Sequence, residues 1–255
     1  VNTSGGLSLR AAIVSDLHSN VEAFKAVLDL ISDLHVDKIY CLGDIVGYGP
    51  DPIDMINMVE NSVDACILGN HDEAVLKEPK YFNRIPYEAI MWTKVQLSFG
   101  CQESLDYLKN LPEILHIEGM VLTHGLLDNN MCYVDNTDDL MVIFEGMGEK
   151  DFICFGGHSH FPSVWSLEGE QISPIEILPG EKVSIGENVD KMWVNVGSVG
   201  QPRDGDNRSS FMVWDTELKA IEYHRVEYPF KQTMSKIRKV PELDNYLSER
   251  LEKGL

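Results

Sequence analysis

Basic residues are scarce in this sequence. Its 255 residues include 21 lysines and arginines against 41 aspartates and glutamates, which gives a formal net charge of -20. Binding along nucleic acid or to an anionic membrane needs a basic surface, so we expect neither a DNA or RNA scaffold nor a membrane as partner. No apolar run is long enough to cross a bilayer, and residues 1–9 lack the basic and apolar regions of a signal peptide.

Cysteine is also scarce. There are five, an odd number without paired spacing, which argues against a disulfide framework and predicts a reduced, cytoplasmic protein. Cys41, Cys66 and Cys154 lie in apolar runs, where we expect buried thiols. The sequence has no internal repeat, low-complexity tract or linker, so a single domain over residues 1–255 is predicted. The oligomeric state is left open.

What the sequence does contain is a recurring pattern of short apolar runs that stop at polar residues able to bind a cation. The first three runs alternate with helical patterns at 21–34 and 52–61, which predicts a parallel sheet with right-handed crossovers. Ligands of such sheets gather at the carboxyl ends of the strands, so we expect these polar residues to converge around Asp44. The residues that follow the five runs are Asp16, His18, Asp44, Asn70, His71, His124, His158 and His160.

Periodicity and turn residues predict the remaining elements. Residues 19–22 match a capping box at the start of the first helix. Residues 73–111 are mostly helical in pattern, interrupted by the aromatic stretch 81–87, and form either a flap over the site or an ordinary helical layer. A hairpin is predicted over 115–123, and a polar helical tail over 229–255. A helix is predicted within 135–147. Strand-like pieces are predicted over 163–185, and strands at 192–196, 211–215 and 220–225.

The donor types favour a metal site. Alternate residues of an extended chain project to the same side, so Asp16 and His18 can reach one ion, and so can His158 and His160. A mixture of carboxylate, imidazole and amide oxygen suits Mn, Fe, Zn, Ni or Co. Seven donors are too many for one ion and fit two that share Asp44 as a bridge. The seven are Asp16, His18, Asp44, Asn70, His124, His158 and His160.

The positions of the histidines support this interpretation. Of eight histidines, five fall at strand ends beside glycine, aspartate or asparagine. His35, His116 and His224 do not, and we predict that these three are surface or packing residues. Such a distribution is hard to attribute to chance.

Taken in order, these motifs resemble the calcineurin-like metallophosphoesterase superfamily over residues 11–215. The resemblance implies an α/β fold, a four-layer α/β-β-α sandwich with two mixed sheets, and two divalent or trivalent metal ions. It implies that His71 faces the substrate and is not a ligand. The implied ligands are Asp16, His18, Asp44 and His160 for the first metal, and Asp44, Asn70, His124 and His158 for the second.

One departure from the protein phosphatase branch of this superfamily is informative. That branch carries an arginine shortly after the bridging aspartate, whereas residues 43–49 contain none. The chain is more similar to the small prokaryotic branch of phosphodiesterases and diadenosine tetraphosphatase-like enzymes. The glycine-rich stretch 195–206 also resembles that branch, and it contains Arg203 and lies close to Arg208. Phosphate contacts there or a plain turn with solvated arginines remain alternatives. The predicted substrate contacts are Asn70, Gly197, Ser198 and Arg203.

The predicted function is hydrolysis of phosphomonoesters or phosphodiesters of small molecules or nucleotides by a hydroxide that bridges two metals. His71, oriented by Asp72, is predicted to donate a proton to the leaving oxygen. A non-catalytic interaction module on the same fold and a serine/threonine protein phosphatase-like enzyme are the alternatives. Because every ligand position of the family is filled, the enzyme is favoured.

Overall fold

Two six-stranded mixed sheets form the centre of the structure, a computed structural model that describes residues 8–255. Residues 1–7, and with them most of the segment considered for a signal peptide, lie outside the described residues. In chain order the elements are β1 (Arg10–Val14), α1 (Val21–Asp33), β2 (Lys38–Cys41), α2 (Pro52–Ser62), β3 (Ala65–Cys66), α3 (Asn70–Leu76), α4 (Arg84–Gly100), α5 (Gln102–Lys109), β4 (Leu115–Ile117), β5 (Met120–Leu122), α6 (Thr137–Gly146), β6 (Ile153–Gly156), β7 (Ser163–Glu168), β8 (Gln171–Pro174), β9 (Lys182–Ser184), β10 (Lys191–Asn195), β11 (Ser209–Asp215), β12 (Ala220–Val226), α7 (Phe230–Ile237) and α8 (Asn245–Lys253).

The strand order is β3-β2-β1-β11-β12-β9 in the first sheet and β4-β5-β6-β10-β7-β8 in the second. β1 is parallel to β2 and β2 to β3, as the alternation of strands and helices predicted. In the second sheet β6 is parallel to both β5 and β10, and the remaining neighbours in both sheets are antiparallel. The predicted α/β fold with two mixed sheets is confirmed.

Apolar side chains alternate between the inner and outer faces of each sheet and so define four layers. Ile13 of the first sheet and Phe155 of the second lie in the core between the sheets. On the outer face of the first sheet, α1, α2, α4 and α5 bury residues such as Phe24. On the outer face of the second sheet, α6 packs Phe144 against Trp193. Burying one such side chain contributes about 1.5–3 kcal/mol, which makes these faces the main source of stability.

The start of α1 differs from the prediction. Asn20, not Ser19, is the N-cap residue, and its side chain accepts a hydrogen bond from the backbone N–H of Ala23. Glu22 does not complete a capping box, because its carboxylate accepts from the hydroxyl of Thr233 on α7. The capping-box prediction is therefore wrong, and the competing interaction comes from a residue more than 200 positions away.

The stretch 73–111 forms α3, α4 and α5, which pack into the outer helical layer. The aromatic interruption is shorter than predicted, because α4 already begins at Arg84. The tail folds as α7 and α8, which pack on Tyr48 and Ala89. Among the described residues, no helix is both long and apolar enough to cross a membrane. All five cysteines are free, and the cytoplasmic location stays a prediction.

Candidate metal centre

Loops that follow five strands from the two sheets meet at one edge of the sandwich. The first sheet supplies residues after β1, β2 and β3, and the second supplies residues after β5 and β6. Each of the eight side chains is at most 8% exposed. The structure thus brings together Asp16, His18, Asp44, Asn70, His71, His124, His158 and His160.

The backbone of these loops is not extended, so our spacing argument for the two pairs of alternate residues is wrong. Asp16 and His18 have φ of 54° and 46°, Asp44 has 50°, and His158 and His160 have 66° and 63°. Non-glycine residues in this left-handed region cost about 1–3 kcal/mol each, and such residues cluster at functional sites. The two members of each pair reach the same centre because the chain curls, not because it is straight.

Asp16, His18 and His160 form the first donor group. Nδ1 of His18 lies 3.1 Å from the carbonyl oxygen of Val46, and Nδ1 of His160 lies 2.5 Å from that of Gln201. Since a carbonyl only accepts, both Nδ1 atoms carry a hydrogen, and both Nε2 atoms are left with lone pairs. These Nε2 atoms lie 3.1 Å apart, and Nε2 of His160 is 3.1 Å from Oδ1 of Asp16. A bound cation would satisfy these three converging acceptors.

Asn70, His124 and His158 lie beside Asp44 and form the second donor group. Nδ1 of His124 is 2.8 Å from the carbonyl oxygen of Leu42 and donates to it, so Nε2 is the nitrogen that faces the centre, 2.9 Å from Oδ1 of Asn70. His158 is turned the other way, because its Nε2 lies 3.1 Å from a backbone carbonyl oxygen. Its Nδ1 is therefore free to face the centre. Backbone partners of this kind fix the tautomer and orientation of imidazoles that bind metals.

Asp44 lies between the two groups. Its Oδ2 is 3.6 Å from Nε2 of His18 in the first group and 3.4 Å from Nε2 of His124 in the second. Its other oxygen, Oδ1, accepts a hydrogen bond of 2.8 Å from the backbone N–H of His71. That bond fixes the carboxylate so that a single oxygen faces both groups.

The charges of the centre are unbalanced. Burial alone would raise the pKa of the Asp16 and Asp44 carboxyls, but neighbouring imidazoles hold both pKa values below the ordinary range. Burial likewise lowers the pKa of His124, yet the Asp44 and Asp16 carboxylates outweigh it and raise this pKa to about 10. Burial lowers the pKa of His158 to about 3. Both carboxylates are therefore ionised, and at most one proton, on Nε2 of His124, offsets them; a bound metal ion would displace that proton and balance the remaining negative charge.

The donor set fits metal ions. Oδ1 of Asp16 is buried without a hydrogen-bond partner, and no lysine or arginine of residues 8–255 lies within 4.0 Å of either the Asp16 or the Asp44 carboxylate. Carboxylate, imidazole and amide oxygen together are typical of transition-metal sites. Donor atoms form three sets, and within each set all of them lie within 4.8 Å of one another. The sets are Asp16, His18 and His160; His18, Asp44 and His71; and Asp44, His124 and His158.

Asp72 does not orient the ring of His71 as predicted. Its carboxylate instead accepts hydrogen bonds from the backbone N–H groups of Ile45, Val46 and Gly69, at 3.1 to 3.2 Å. Asp72 thus ties the loop after Asp44 to the loop before Asn70. The predicted catalytic contact is replaced by a role in holding two loops of the centre together.

Asp72→Ala should destabilise the protein. Three buried N–H groups would lose their acceptor, and because each unsatisfied group costs about 1–3 kcal/mol, we expect a loss of at least about 3 kcal/mol in the free energy of unfolding. Urea unfolding monitored by tryptophan fluorescence measures it. Asp128→Ala, at an exposed aspartate, is the control and should cost less than about 0.5 kcal/mol. Equal losses in the two variants would contradict the role given to Asp72.

A cavity of about 380 Å³ opens beside the centre. Asp44, Asn70, His158 and His160 line one part of it, with His71 next to them. Aromatic side chains from the segment between α3 and α4 and from the loop before α6 line the rim. These rim residues are Tyr81, Phe82 and Tyr133. Residues 81–83 therefore border the site, while the helices that follow belong to the outer layer.

The predicted substrate contacts fall into two classes. Arg203 lines the cavity, whereas Arg208 is paired with Asp206 and does not. Ser198 is fully buried, and its hydroxyl donates to the backbone oxygen of Asp16 and accepts from the N–H of Gln201. The N–H of Gly197 donates to a side-chain oxygen of Asn195. The prediction that Gly197 and Ser198 contact substrate is wrong: they lie behind the centre and support it.

Sequence reasoning missed Arg250 and Tyr48, which also line the cavity. Arg250 lies on α8, in the polar tail to which no role was assigned. The ring of Tyr48 packs against two histidines of the centre, with its centroid 4.6 Å from that of His18 and 4.4 Å from that of His71. No motif marks either residue, because only the packing of α8 on Tyr48 brings them to the site. The three histidines set aside are confirmed as surface or packing residues: His35, His116 and His224.

The chain is similar to known proteins over most of its length. A model of the calcineurin-like phosphoesterase superfamily domain matches residues 9–219. An uncharacterised protein of Methanocaldococcus jannaschii is 37% identical over 253 residues, which cover 95% of this chain and 97% of that protein. The crystal structure of a metallophosphoesterase from Sphaerobacter thermophilus has 32% identity and a TM-score of 0.84, with coverage of 97% of this chain and 100% of that one.

A more distant similarity is confined to part of the chain. The symmetrical bis(5'-nucleosyl)-tetraphosphatase of Nitrosospira multiformis is 31% identical over 119 residues, which cover 45% of this chain and 42% of that protein. The superfamily model, by contrast, includes every residue of the candidate metal centre and ends before α7 and α8. The resemblance inferred from the motifs is confirmed, and this chain belongs to the calcineurin-like phosphoesterase superfamily, whose members are hydrolases acting on phosphoester bonds.

Proposed function

We propose that this phosphoesterase hydrolyses phosphomonoesters or phosphodiesters of small molecules or nucleotides at a centre of two metal ions. The observation that carries the proposal is the position of Asp44. One oxygen of its buried carboxylate lies 3.6 Å from the acceptor nitrogen of His18 and 3.4 Å from that of His124. A carboxylate so placed can be shared by two ions, whereas a single ion would leave one donor group unused.

Each ion would have four protein donors. The site is compatible with manganese, iron, zinc, nickel or cobalt, because all of these accept mixed nitrogen and oxygen ligands. His71 is kept outside both sets, since its backbone N–H holds Asp44 and its ring faces the cavity. The first set is Asp16, His18, Asp44 and His160, and the second is Asp44, Asn70, His124 and His158.

Metal ions bound there would withdraw charge from the phosphoryl oxygens and make water a better nucleophile at neutral pH. The protein's own residues supply the rest. Nδ1 of His71 is buried without a partner against Gly47, so Nε2 is the ring nitrogen that faces the cavity. Burial lowers the pKa of His71 to about 4, and an anionic phosphate beside the ring would raise it. His71 can then donate a proton from Nε2 to the leaving oxygen, while Arg203 binds phosphate.

The cavity suits a small substrate better than a protein surface. It is bordered by Tyr81, Phe82 and Tyr133, and aromatic faces of this kind stack on planar groups such as nucleobases. No arginine follows Asp44 in residues 45–49, where the protein phosphatase branch carries one. A phosphorylated small molecule or nucleotide is therefore the proposed partner, in keeping with the acidic composition of the chain.

The proposal is tested with p-nitrophenyl phosphate and bis-p-nitrophenyl phosphate in the presence of Mn²⁺. We expect release of p-nitrophenol from at least one of them, loss of activity with EDTA, and recovery when metal is restored. Metal content is measured on the same sample by inductively coupled plasma mass spectrometry, and two ions per chain are expected. Bound metal without hydrolysis of either compound would favour the non-catalytic interaction module instead.

A further inference from the structure

Two arginines reach the cavity from different parts of the chain, Arg203 from the loop after β10 and Arg250 from α8. Most arginines of this acidic protein have a carboxylate partner. In the part of the chain from residue 8 onward, neither Arg203 nor Arg250 lies within 4.0 Å of a side-chain carboxylate. Those that do are Arg10, Arg84, Arg208 and Arg225.

Neutral groups hold the guanidinium group of Arg203 in place. Arg203 donates from Nη2 to the side-chain oxygen of Gln201 at 2.9 Å, and its Cζ lies 5.7 Å from the ring centroid of Tyr48. Arg250 donates to the backbone oxygen of Leu255, and its Cζ lies 5.4 Å from the ring centroid of Tyr246. The contacts of Arg203 orient its side chain without balancing its charge. Nε of Arg203 is buried and has no partner.

The two positive charges also act on each other. Burial lowers the pKa of Arg250 to about 10, and the charge of Arg203 contributes to the decrease. Holding like charges together in a half-buried pocket costs free energy, which an anion bound between them would offset. Guanidinium groups bind phosphate oxygens in a bidentate manner, and phosphate is thus the anion that they suit best.

The arginines lie beside the candidate metal centre and not within it. The ring of Tyr48 contacts both Arg203 and the centre, with its centroid 5.7 Å from Cζ of Arg203 and 4.4 Å from the ring centroid of His71. Gln201 links Arg203 to the centre, because its side-chain oxygen accepts from Arg203 and its backbone oxygen lies 2.5 Å from Nδ1 of His160. Arg203 is therefore adjacent to the candidate metal centre, and Arg250 reaches the same cavity from α8.

The rest of the rim is aromatic. Tyr81 is 94% exposed and Tyr133 is 45% exposed, although both line the cavity. The ring centroid of Tyr133 is 4.3 Å from that of His158, and the ring centroid of Phe82 is 5.3 Å from that of His71. These rings offer flat faces on which a nucleobase can stack.

We propose that Arg250 is a specificity-determining residue: together with Arg203 it binds a second phosphate of the substrate. The site then prefers nucleotides that carry more than one phosphate over substrates with a single one. With ADP, water adds to the terminal phosphorus at the centre, the phosphoanhydride bond breaks, and AMP leaves with a proton from His71 while inorganic phosphate is formed. This proposal rests on the proposed function, because it assumes that the phosphate at the metal centre is the one that reacts. It assigns the C-terminal helix α8 to substrate recognition.

The kinetic test compares Arg250→Gln with the metal-loaded wild type on p-nitrophenyl phosphate, AMP, ADP and diadenosine tetraphosphate. We expect kcat/KM for ADP or diadenosine tetraphosphate to fall by about 10–100-fold, since a hydrogen bond to a charged group is lost. For the substrates with one phosphate it should change less than about 3-fold. Arg250→Lys keeps the charge and should recover part of the loss, because the defect is one of binding and not of folding.

Lys253→Gln is the matched control, because it removes one positive charge from an exposed position on the same helix. It should leave kcat/KM for all four substrates unchanged. An equal decrease on substrates with one and with several phosphates in Arg250→Gln would overturn the proposal, and so would no decrease on either. A wild type that prefers AMP to ADP and to diadenosine tetraphosphate would overturn it as well.

A binding measurement separates this proposal from the proposed function. α,β-Methylene-ADP cannot be cleaved between its two phosphorus atoms, so calorimetry can measure its binding to the metal-loaded protein, with chromatography of the same sample to verify that its ester bond to ribose stays intact. Arg250→Gln should weaken this binding by about 10–100-fold and Lys253→Gln should not. If no substrate is hydrolysed but this difference is found, the proposed function fails and the anion subsite stands. If binding is the same in all three proteins, the subsite is refuted whatever the activity.

Discussion

Asp44→Ala should abolish metal binding and reduce the hydrolysis of aryl phosphates to background. This is the largest effect that we expect from any single substitution. The buried carboxylate of Asp44 faces both donor groups, with Oδ2 less than 4 Å from Nε2 of His18 and of His124. Removing it would take a ligand from each of the two proposed ions and would leave the backbone N–H of His71 without its acceptor. Mass spectrometry of metal content and the rate of p-nitrophenol release are measured on the same sample.

Two variants sharpen this test. Asp44→Asn keeps the shape and one acceptor oxygen but lacks the charge, so it should lose most of its metal and activity while remaining folded by circular dichroism. Asp54→Ala removes an exposed aspartate on α2 and should behave as the wild type. An Asp44→Ala protein with its full metal content would contradict the bridging position.

His71→Ala should keep both metals and slow turnover by about 10²–10⁴-fold, the range typical of a lost general acid. Metal is retained because the contact that His71 makes with Asp44 is a backbone N–H, which alanine also has. The ring itself has no hydrogen-bonded protein partner at Nδ1 and faces the cavity through Nε2. Metal content and kcat are measured for His71→Ala and for His35→Ala, an exposed histidine that should have no effect.

The leaving group distinguishes proton donation from other roles. p-Nitrophenolate leaves readily without a proton, so His71→Ala should lose less activity on p-nitrophenyl phosphate than on an alkyl phosphate. A loss that is the same for both leaving groups would assign His71 to binding of the phosphate. Loss of metal to the same extent as in Asp44→Ala would instead make it a ligand, which the group of His18, Asp44 and His71 donor atoms allows geometrically.

Local sequence patterns were sufficient for the parts of the fold that depend on local interactions. Alternating apolar runs located β1, β2, α1 and α2, and Glu118 and Gly119 marked a hairpin turn that both residues form with positive φ. The same patterns do not specify which distant strands pair. The insertion of β10 between β6 and β7 and the pairing of β11 with β1 are set by contacts across the whole sandwich. Strand β3 is only two residues long, shorter than its apolar run predicted.

The candidate site divides in the same way. The polar residues at strand ends could be found in the sequence because chemistry and position coincide there, even though the extended-chain argument for Asp16 and His18 was wrong. Asp72 was misassigned because proximity in sequence to His71 suggested a contact, whereas its acceptors satisfy three backbone N–H groups. Arg250 was missed because its position at the cavity depends on how α7 and α8 fold back on Tyr48.

The donors of the centre come from both sheets, and this has a consequence for how the enzyme is inactivated. The loops carrying Asp16, Asp44 and Asn70 follow strands of the first sheet, and those carrying His124, His158 and His160 follow strands of the second. Bound ions would cross-link the two sheets of the sandwich through these loops. Unfolding of either sheet alone would remove part of the donor set. On heating, we therefore expect the bound metal and the catalytic activity to be lost in a single transition.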